Sequence, residues 1–315
     1  MTALKGVYLS DVLDLAGLYA RAFEPYSETL TLAQPEAVVD PEAITFALAW
    51  KPAPEAFAPY PNLRLVSSIA AGVDNILSCP SLPPNAQVMR LRDPDQAKEM
   101  AGFALWHIIG WHREMARYGD QQRAGIWQRN PYHPASDIRV AILGFGLMGE
   151  TLAKSLLALD YQVIVYAKRP REVVPDNLTI VCEADGKLAA AGGADIVVNL
   201  LPATPETIGV LDAELMSVMA AGGLLINLGR GNHLVEDDLL AALDERHLSH
   251  AALDVTTEEP LPPAHPFWTH PAIALTPHIA AETPPGRLTR LVAREVERAR
   301  CGKPPLGLVD RVQSY

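Results

Sequence analysis

The 315-residue chain is predicted to be an α/β protein built on a doubly wound parallel sheet. Three observations carry this reading. From residue 139 onward, short apolar runs alternate with helix-like segments. The runs are apolar along their whole length rather than at every second residue, as strands buried on both faces must be. One of them leads straight into three glycines, VAILGFGLMG at 140–149, the pattern of a tight strand-to-helix turn.

The elements follow in chain order. Within roughly the first 90 residues, ITFALAW (44–50) and LRLVSSIA (63–70) read as short strands separated by the proline-rich KPAPEAFAPYP, a small α/β unit. A helix begins at DPDQAKEM, with Asp93 or Asp95 available as its cap, and is apolar nearly all round from Met100 to Trp111. Such a helix needs cover on several sides. The stretch QRAGIWQRNPYHPASDI (122–138) is polar, holds two prolines and reads as a connector or projecting arm. Then come strand RVAIL, helix LMGETLAKSLLAL and strand QVIVYA. Strands DIVVNLL, GLLINL, HAALDV and IALTP follow, with helical segments between several of them.

Length and composition bound the function. The chain is long enough for two domains at roughly 150 residues each, and 49% hydrophobic residues can fill two cores. A net charge of −11 and a pI near 5.3 argue against nucleic-acid or anionic-membrane binding. Cys79, Cys182 and Cys301 show neither disulfide nor metal-ligand spacing, so no metal is expected. The amino-terminal stretch carries acids within its apolar run and lacks a basic leader, and no run reaches membrane-spanning length. A cytoplasmic protein is the expectation.

The three glycines are weak evidence alone. Placed after a buried-type strand and at the start of a helix, they form a dinucleotide fingerprint. Gly144 serves the turn, Gly146 the approach of backbone to a pyrophosphate, and Gly149 the packing of helix on strand. An NAD site usually has an acid about 20 residues on, at the end of the second strand. Here the strand ends VIVYAKRP, with Ala167 near the acid's place and Lys168 and Arg169 after it. A missing acid beside two bases favours NADP(H), with NAD(H) as the second cofactor.

Ligands of such sheets sit beyond the carboxyl ends of the strands. Arg230 follows GLLINLG, Asp254 ends HAALD, and His278 follows IALTP. Between the last two lies a proline-dense loop, TTEEPLPPAHPFWTHP, with Glu258 and Glu259. An arginine, an acid and a histidine therefore converge on one rim. His107, His112, His133, His247, His250, His265 and His270 lack such a setting and read as ordinary structural histidines.

With these motifs in place, the chain resembles the D-isomer-specific 2-hydroxyacid dehydrogenases, nearest their glyoxylate/hydroxypyruvate reductase A branch. AAGVDNIL (70–77), GFGLMG, NLLPATPETIG (199–209), INLGRGNHLVEDDLLAAL (226–243), ALDVTTEEPLPPAHPFWTHP (252–271) and TPHIAAET (276–283) carry the resemblance over nearly the whole chain. It implies a Rossmann-type dinucleotide domain, 95–280, inserted into a smaller flavodoxin-like substrate domain made of 1–94 and 281–315. It implies that Arg230 binds the substrate carboxylate with the backbone amides of Gly72 and Val73, that Trp50 lies near the substrate, and that His278 is the acid/base with Glu259 as its partner. The cofactor contacts it implies are Gly144, Phe145, Gly146, Leu147, Met148, Gly149, Lys168, Arg169, Leu201, Pro202, Thr207, Leu228, Gly229, Asp254, His278 and Ala280. Two departures bear on pocket size and charge: Thr256 replaces an aromatic residue, and Lys51 adds a cation after Trp50.

The expected reaction is NADPH-dependent reduction of a small 2-oxo acid, such as glyoxylate or hydroxypyruvate, to the 2-hydroxy acid, with the His278 imidazolium protonating the developing alkoxide. The alternatives are a dehydrogenase for a different 2-hydroxy acid, or a non-catalytic sensor of NAD(P)(H) on the same fold. The apolar helix at 100–111 further predicts a homodimer.

Overall fold

The computed structural model describes residues 3–171, 177–183 and 185–311. The chain divides into two compact units, one made of 1–93 with 282–315 and the other of 94–281.

The first unit is a five-stranded, all-parallel sheet among the described residues. Its strands and helices are β1 (Leu4–Ser10), α1 (Leu15–Phe23), β2 (Leu30–Ala33), β3 (Phe46–Trp50), β4 (Leu65–Ser68), α2 (Asp74–Leu77) and β5 (Gln87–Met89), with sheet order β2-β1-β3-β4-β5. Asp14 caps α1 by accepting from the Gly17 amide at 2.9 Å. The C-terminal helix Pro285–Arg300 returns to this unit and packs on α1 through Leu288, Leu291, Val292 and Val296, all buried. Strand residues alternate between two buried faces, Val7 and Leu9 on one and Tyr8 on the other.

The second unit opens with α3 (Pro94–His112) and α4 (Met115–Arg123). The doubly wound part follows as β6 (Arg139–Leu143), α5 (Leu147–Leu157), β7 (Gln162–Tyr166), β8 (Leu178–Val181), α6 (Gly186–Ala191), β9 (Ile196–Asn199), α7 (Ala213–Ser217), β10 (Gly223–Asn227), α8 (Glu236–Asp244), β11 (Leu248–Leu253) and β12 (Ile273–Leu275). The sheet order is β12-β11-β10-β9-β6-β7-β8, all parallel. Val140 and Ile142 face the core under α3 and α5, while Ala141 and Leu143 face the core under α7 and α8. Both faces are covered, which accounts for strands with no polar alternation.

Strand order reverses between β6 and β9: β7 and β8 run out to one side of β6, and β9 to β12 to the other. A reversal of this kind opens a crevice at the carboxyl edge. The glycine turn after β6 and the loop after β9 both leave the sheet there.

Within its own unit, helix α3 is covered along one side, with Met100, Phe103, Leu105 and Trp111 partly buried beside it. Ala97, Ala101, Ala104 and Ile108 form one buried stripe, and α5 is its main partner. Trp106 on the same helix is 71% exposed. The 122–138 segment turns its few large apolar residues outward: Ile126, Trp127 and Tyr132 all stand exposed along it. Among the described residues, no helix is long and apolar enough to cross a membrane.

Candidate active site

The glycine turn explains its own composition. Gly144 has φ +106°, donates its amide to the Tyr166 carbonyl at 2.9 Å, and would put a Cβ 2.8 Å from the Leu200 carbonyl oxygen. A Cβ on Gly149 would lie 2.0 Å from the Gly144 oxygen, so α5 can approach β6 only with glycine there. Gly146 is the N-cap of α5 and opens onto empty space, with nothing within 4 Å of a Cβ. Exposed amides at a helix start, with room in front of them, suit the pyrophosphate of a dinucleotide. Leu147 and Met148 form the first turn of α5, half-buried, and the Phe145 side chain is buried in the core.

At the end of β7, Ala167 is buried and Lys168 and Arg169 are exposed. The carboxyl of exposed Glu206 lies below its ordinary range, chiefly through a hydrogen bond with Thr204 and further through the charge of Lys168. Sequence reasoning missed Arg171. Its guanidinium donates to the Phe145 carbonyl at 2.6 Å and lies 5.5 Å from the Phe145 ring centroid, so a third cation is fixed on the glycine turn itself. Its signal was present as a third base in KRPR, but its contact with Phe145 is tertiary.

The loop after β9 is held by its own polar groups. The Thr207 hydroxyl accepts from the Thr204 amide at 2.8 Å and contacts the Pro202 and Thr204 carbonyls at 2.8 and 3.0 Å. The Leu201 amide donates to Asn199 Oδ1 at 3.2 Å. After β10, Leu228 and Gly229 are buried, and half-buried Arg230 extends a guanidinium Nη1 that donates to the Gly229 carbonyl at 2.8 Å. Gly231 abuts the next loop: a Cβ there would fall 1.9 Å from the Thr256 carbonyl carbon. Thr256 turns its hydroxyl to the Glu258 carbonyl at 2.8 Å, which shapes the loop carrying Glu259.

His278 and Glu259 meet. The histidine Nδ1 lies 3.1 Å from each carboxylate oxygen of Glu259. An ionised carboxylate only accepts, so Nδ1 carries a proton and Nε2 is the ring nitrogen able to exchange one with a substrate. His278 sits at φ +59°, a strained conformation for a residue with a side chain. Buried Asp254 holds it there. Its main-chain oxygen accepts from the His278 amide at 2.8 Å. Its carboxylate accepts from Thr276 Oγ1 at 2.6 Å and from the amides of Ile279 and Ala280, each at 2.9 Å.

In the first unit, Trp50 ends β3 and Lys51 follows at φ +40°, its amide donating to Asn75 Oδ1 at 3.0 Å. Buried Ser68 donates to the Gly72 carbonyl at 2.7 Å and accepts from the Ala70 amide at 3.1 Å. The turn carrying Gly72 and Val73 is thereby fixed, and Asn75 ties it to the end of β3.

A family model described as D-isomer specific 2-hydroxyacid dehydrogenase, NAD binding domain, matches residues 105–280. The chain belongs to the D-isomer specific 2-hydroxyacid dehydrogenase family. It is 37% identical over 281 residues to glyoxylate/hydroxypyruvate reductase A of Serratia proteamaculans, covering 88% of this chain and 89% of that one. The protein of the same name from Yersinia enterocolitica is 35% identical with the same coverage. Among solved structures, a family member from Xanthobacter autotrophicus in complex with NADPH and MES superposes with a TM-score of 0.92 over the full length of both chains at 31% identity. The NADPH-dependent glyoxylate/hydroxypyruvate reductase of Sinorhizobium meliloti, in complex with NADP and sulfate, gives 0.90 over 99% of both chains at 29% identity.

The remaining histidines of this 2-hydroxyacid dehydrogenase are mostly bound to scaffold groups. His112 contacts the Tyr161 hydroxyl and the His133 carbonyl, both at 2.8 Å, and His265 contacts Glu236 at 3.1 Å. His107 is shifted below the usual histidine range by burial, against which the charge of Asp254 acts. Among the described residues, no cluster of His, Cys, Asp and Glu could hold a metal ion.

Proposed function

We propose that this dehydrogenase reduces small 2-oxo acids, glyoxylate and hydroxypyruvate first among them, with NADPH in preference to NADH. The observation that carries the reading is the His278–Glu259 pair, with both carboxylate oxygens 3.1 Å from Nδ1. Bound NADPH would supply the hydride. The residues holding it would be the glycine turn with Phe145, Leu147 and Met148, the segments 201–207 and 228–229, Asp254 and Ala280, with Lys168, Arg169 and Arg171 offering positive charge to a 2′-phosphate. Ala167 cannot hydrogen-bond a ribose hydroxyl as an acid would, which supports the same preference.

Arg230 binds the planar carboxylate of the oxo acid bidentately and so fixes which face of the carbonyl is presented. In the first unit, the Gly72 and Val73 amides are the donors, and Trp50 the bulky side chain, that the family resemblance assigns to substrate. His278, as imidazolium, delivers the Nε2 proton to the alkoxide oxygen while Glu259 holds the ring and stabilises its charge. Names of relatives support the substrate class: two are glyoxylate/hydroxypyruvate reductases A, and the Sinorhizobium protein is an NADPH-dependent one. We also propose a homodimer, in which a second copy covers Trp106, Ile109, Met115 and Trp127, all exposed along α3, α4 and the segment that follows. Light scattering at micromolar protein should return twice the chain mass.

The deciding experiment is oxidation of NADPH and of NADH, followed by loss of nicotinamide absorbance, with glyoxylate, hydroxypyruvate, pyruvate and phenylpyruvate. Fastest turnover is expected with NADPH and one of the first two acids. Cofactor binding with no turnover on any of the four would overturn the reductase reading in favour of a sensor.

A further inference from the structure

The second unit buries three polar side chains completely at the carboxyl ends of β9 and β10: Asn199, Asn227 and His233, each 0% exposed. Their hydrogen bonds leave one consistent arrangement. The Leu201 amide must donate, so the Asn199 atom 3.2 Å from it is the oxygen. The Gly229 amide must donate as well, so the Asn227 atom 3.2 Å from it is the oxygen. Asn199 Nδ2 therefore gives one proton to Asn227 Oδ1 at 2.9 Å and the other to His233 Nδ1 at 2.8 Å. Asn227 Nδ2 donates to the Arg230 carbonyl at 3.0 Å. The Arg230 amide approaches the same His233 Nδ1 at 3.2 Å.

Two donors thus face one ring nitrogen. Nδ1 is an acceptor only, and the ring is neutral with its proton on Nε2. Both main-chain polar groups of Arg230 are held by this cluster, the carbonyl by Asn227 and the amide by His233. The fit is close on the third side too: a Cβ on Gly229 would lie 2.8 Å from Asn199 Nδ2 and 2.9 Å from His233 Nδ1. Through Asn199, the same cluster fixes the Leu201 turn on the neighbouring strand.

The geometry points to His233 as a positioning residue for substrate binding: as a neutral Nδ1 acceptor it fixes the backbone of Arg230 and locks it to the loop after β9. This rests on the reading of Arg230 as the ligand of the substrate carboxylate. A guanidinium aligned bidentately tolerates little rotation of its own backbone, so loss of the acceptor is felt in oxo-acid binding before it is felt in cofactor binding.

Three variants test it in the full-length protein. His233→Phe keeps a flat ring and removes the acceptor. His233→Asn puts an amide oxygen where Nδ1 was. Arg230→Lys tests the underlying reading. For His233→Phe, KM for glyoxylate should rise roughly tenfold, the scale of one buried donor left unmet, while the Kd for NADPH stays within about threefold. His233→Asn should recover most of that loss. If Arg230→Lys leaves KM for glyoxylate unchanged, the carboxylate reading fails and this inference with it. If Arg230→Lys raises KM but His233→Phe does not, or if His233→Asn is as impaired as His233→Phe, the positioning role alone is overturned. A further measurement needs no variant kinetics. Nitrogen-15 NMR of the histidines in the unmodified protein should show one ring as the Nε2–H tautomer whose signals are lost in His233→Asn, and an Nδ1–H tautomer or an imidazolium at that residue at neutral pH overturns the inference.

Discussion

The two units solve one folding problem and finish it differently. Each is a parallel sheet buried on both faces, and each has its candidate residues where strands end. The first closes its turns with small groups: buried Ser68, with half-buried Ala70 and Gly72, leaves main-chain amides as the chemical surface. The second closes its turns with Asn199, Asn227, Asp254 and His233, buried side chains whose hydrogen bonds aim Arg230 and His278. The difference teaches where side-chain chemistry can reside. Proton transfer and ion pairing need titratable groups, and these need a polar framework beneath them; a carboxylate can be met by amides that any residue supplies.

The largest effect that would break this comparison is at His278. His278→Ala should lower kcat for reduction by about 10²- to 10⁴-fold, the usual contribution of a placed general acid, while NADPH still binds to the glycine turn. Trp50→Ala in the first unit should change KM and the ranking of oxo acids without removing turnover. Steady-state kinetics with cofactor titration checks both. A larger kcat loss in Trp50→Ala than in His278→Ala would place the chemistry in the wrong unit.

That division also decides what could be read from the sequence. The parallel sheet was legible because strands buried on two faces have no polar alternation, as in VAIL and IVVN. Arg230 and His278 could be singled out because each stands just past the end of a strand-like run, whereas the proline-dense loop offered both Glu258 and Glu259, and it is Glu259 whose carboxylate meets His278. Much of the rest was not legible. Strands such as LTIV at 178–181 and LTLA at 30–33 are short sheet-edge runs with threonine among them, too weak a pattern to single out. Nothing local marks His233, ahead of the acidic start of α8, or tells that it lies against Asn199, 34 residues away in sequence. Arg171 reads as one more base in a polar turn until the fold lays it on Phe145. The 122–138 arm reads as polar because its arginines and glutamines outnumber Ile126, Trp127 and Tyr132.

The next effect sharpens the cofactor side of the second unit. Replacing Lys168 and Arg169 with alanine and Ala167 with aspartate should reduce the kcat/KM ratio of NADPH to NADH by roughly ten- to a hundredfold, the scale of one or two charge-assisted hydrogen bonds. Arg171→Ala alone should give part of the same shift, since its guanidinium is already anchored on the turn. An unchanged ratio in all of these variants would mean that the 2′-phosphate is met elsewhere.

A smaller effect concerns Glu259. Glu259→Gln keeps a hydrogen-bond acceptor near Nδ1 but removes the charge opposite it, so the imidazolium loses an ionic partner. The rate of reduction should fall by less than about tenfold, since the acid is still present. A loss as large as that of His278→Ala would show that the ring cannot act without the carboxylate, and an unchanged rate would remove Glu259 from the proton transfer.

The smallest effect belongs to the first unit and concerns stability rather than turnover. Burial pushes the Tyr8 hydroxyl up to about 12 from 10.0, and Tyr19 and Tyr60 are raised in the same way, whereas in the second unit the charge of Arg113 opposes the rise at Tyr161. The sign follows from proton counting. Above pH 10 the unfolded chain gives up the Tyr8 proton while the folded chain keeps it, so the stability tied to Tyr8 is complete below about pH 10 and is lost as pH climbs toward 12. Between pH 9 and pH 11 this amounts to about 1.4 kcal/mol. Tyr8→Phe keeps the ring and removes the titration, so over that interval it should lose about that much less stability than the unmodified protein, in urea unfolding read by hydrogen exchange in β1 and β3. Other groups titrate alike in both proteins and cancel. Equal losses would mean that Tyr8 ionises as easily folded as unfolded, and the first unit would then owe none of its alkaline sensitivity to this buried hydroxyl.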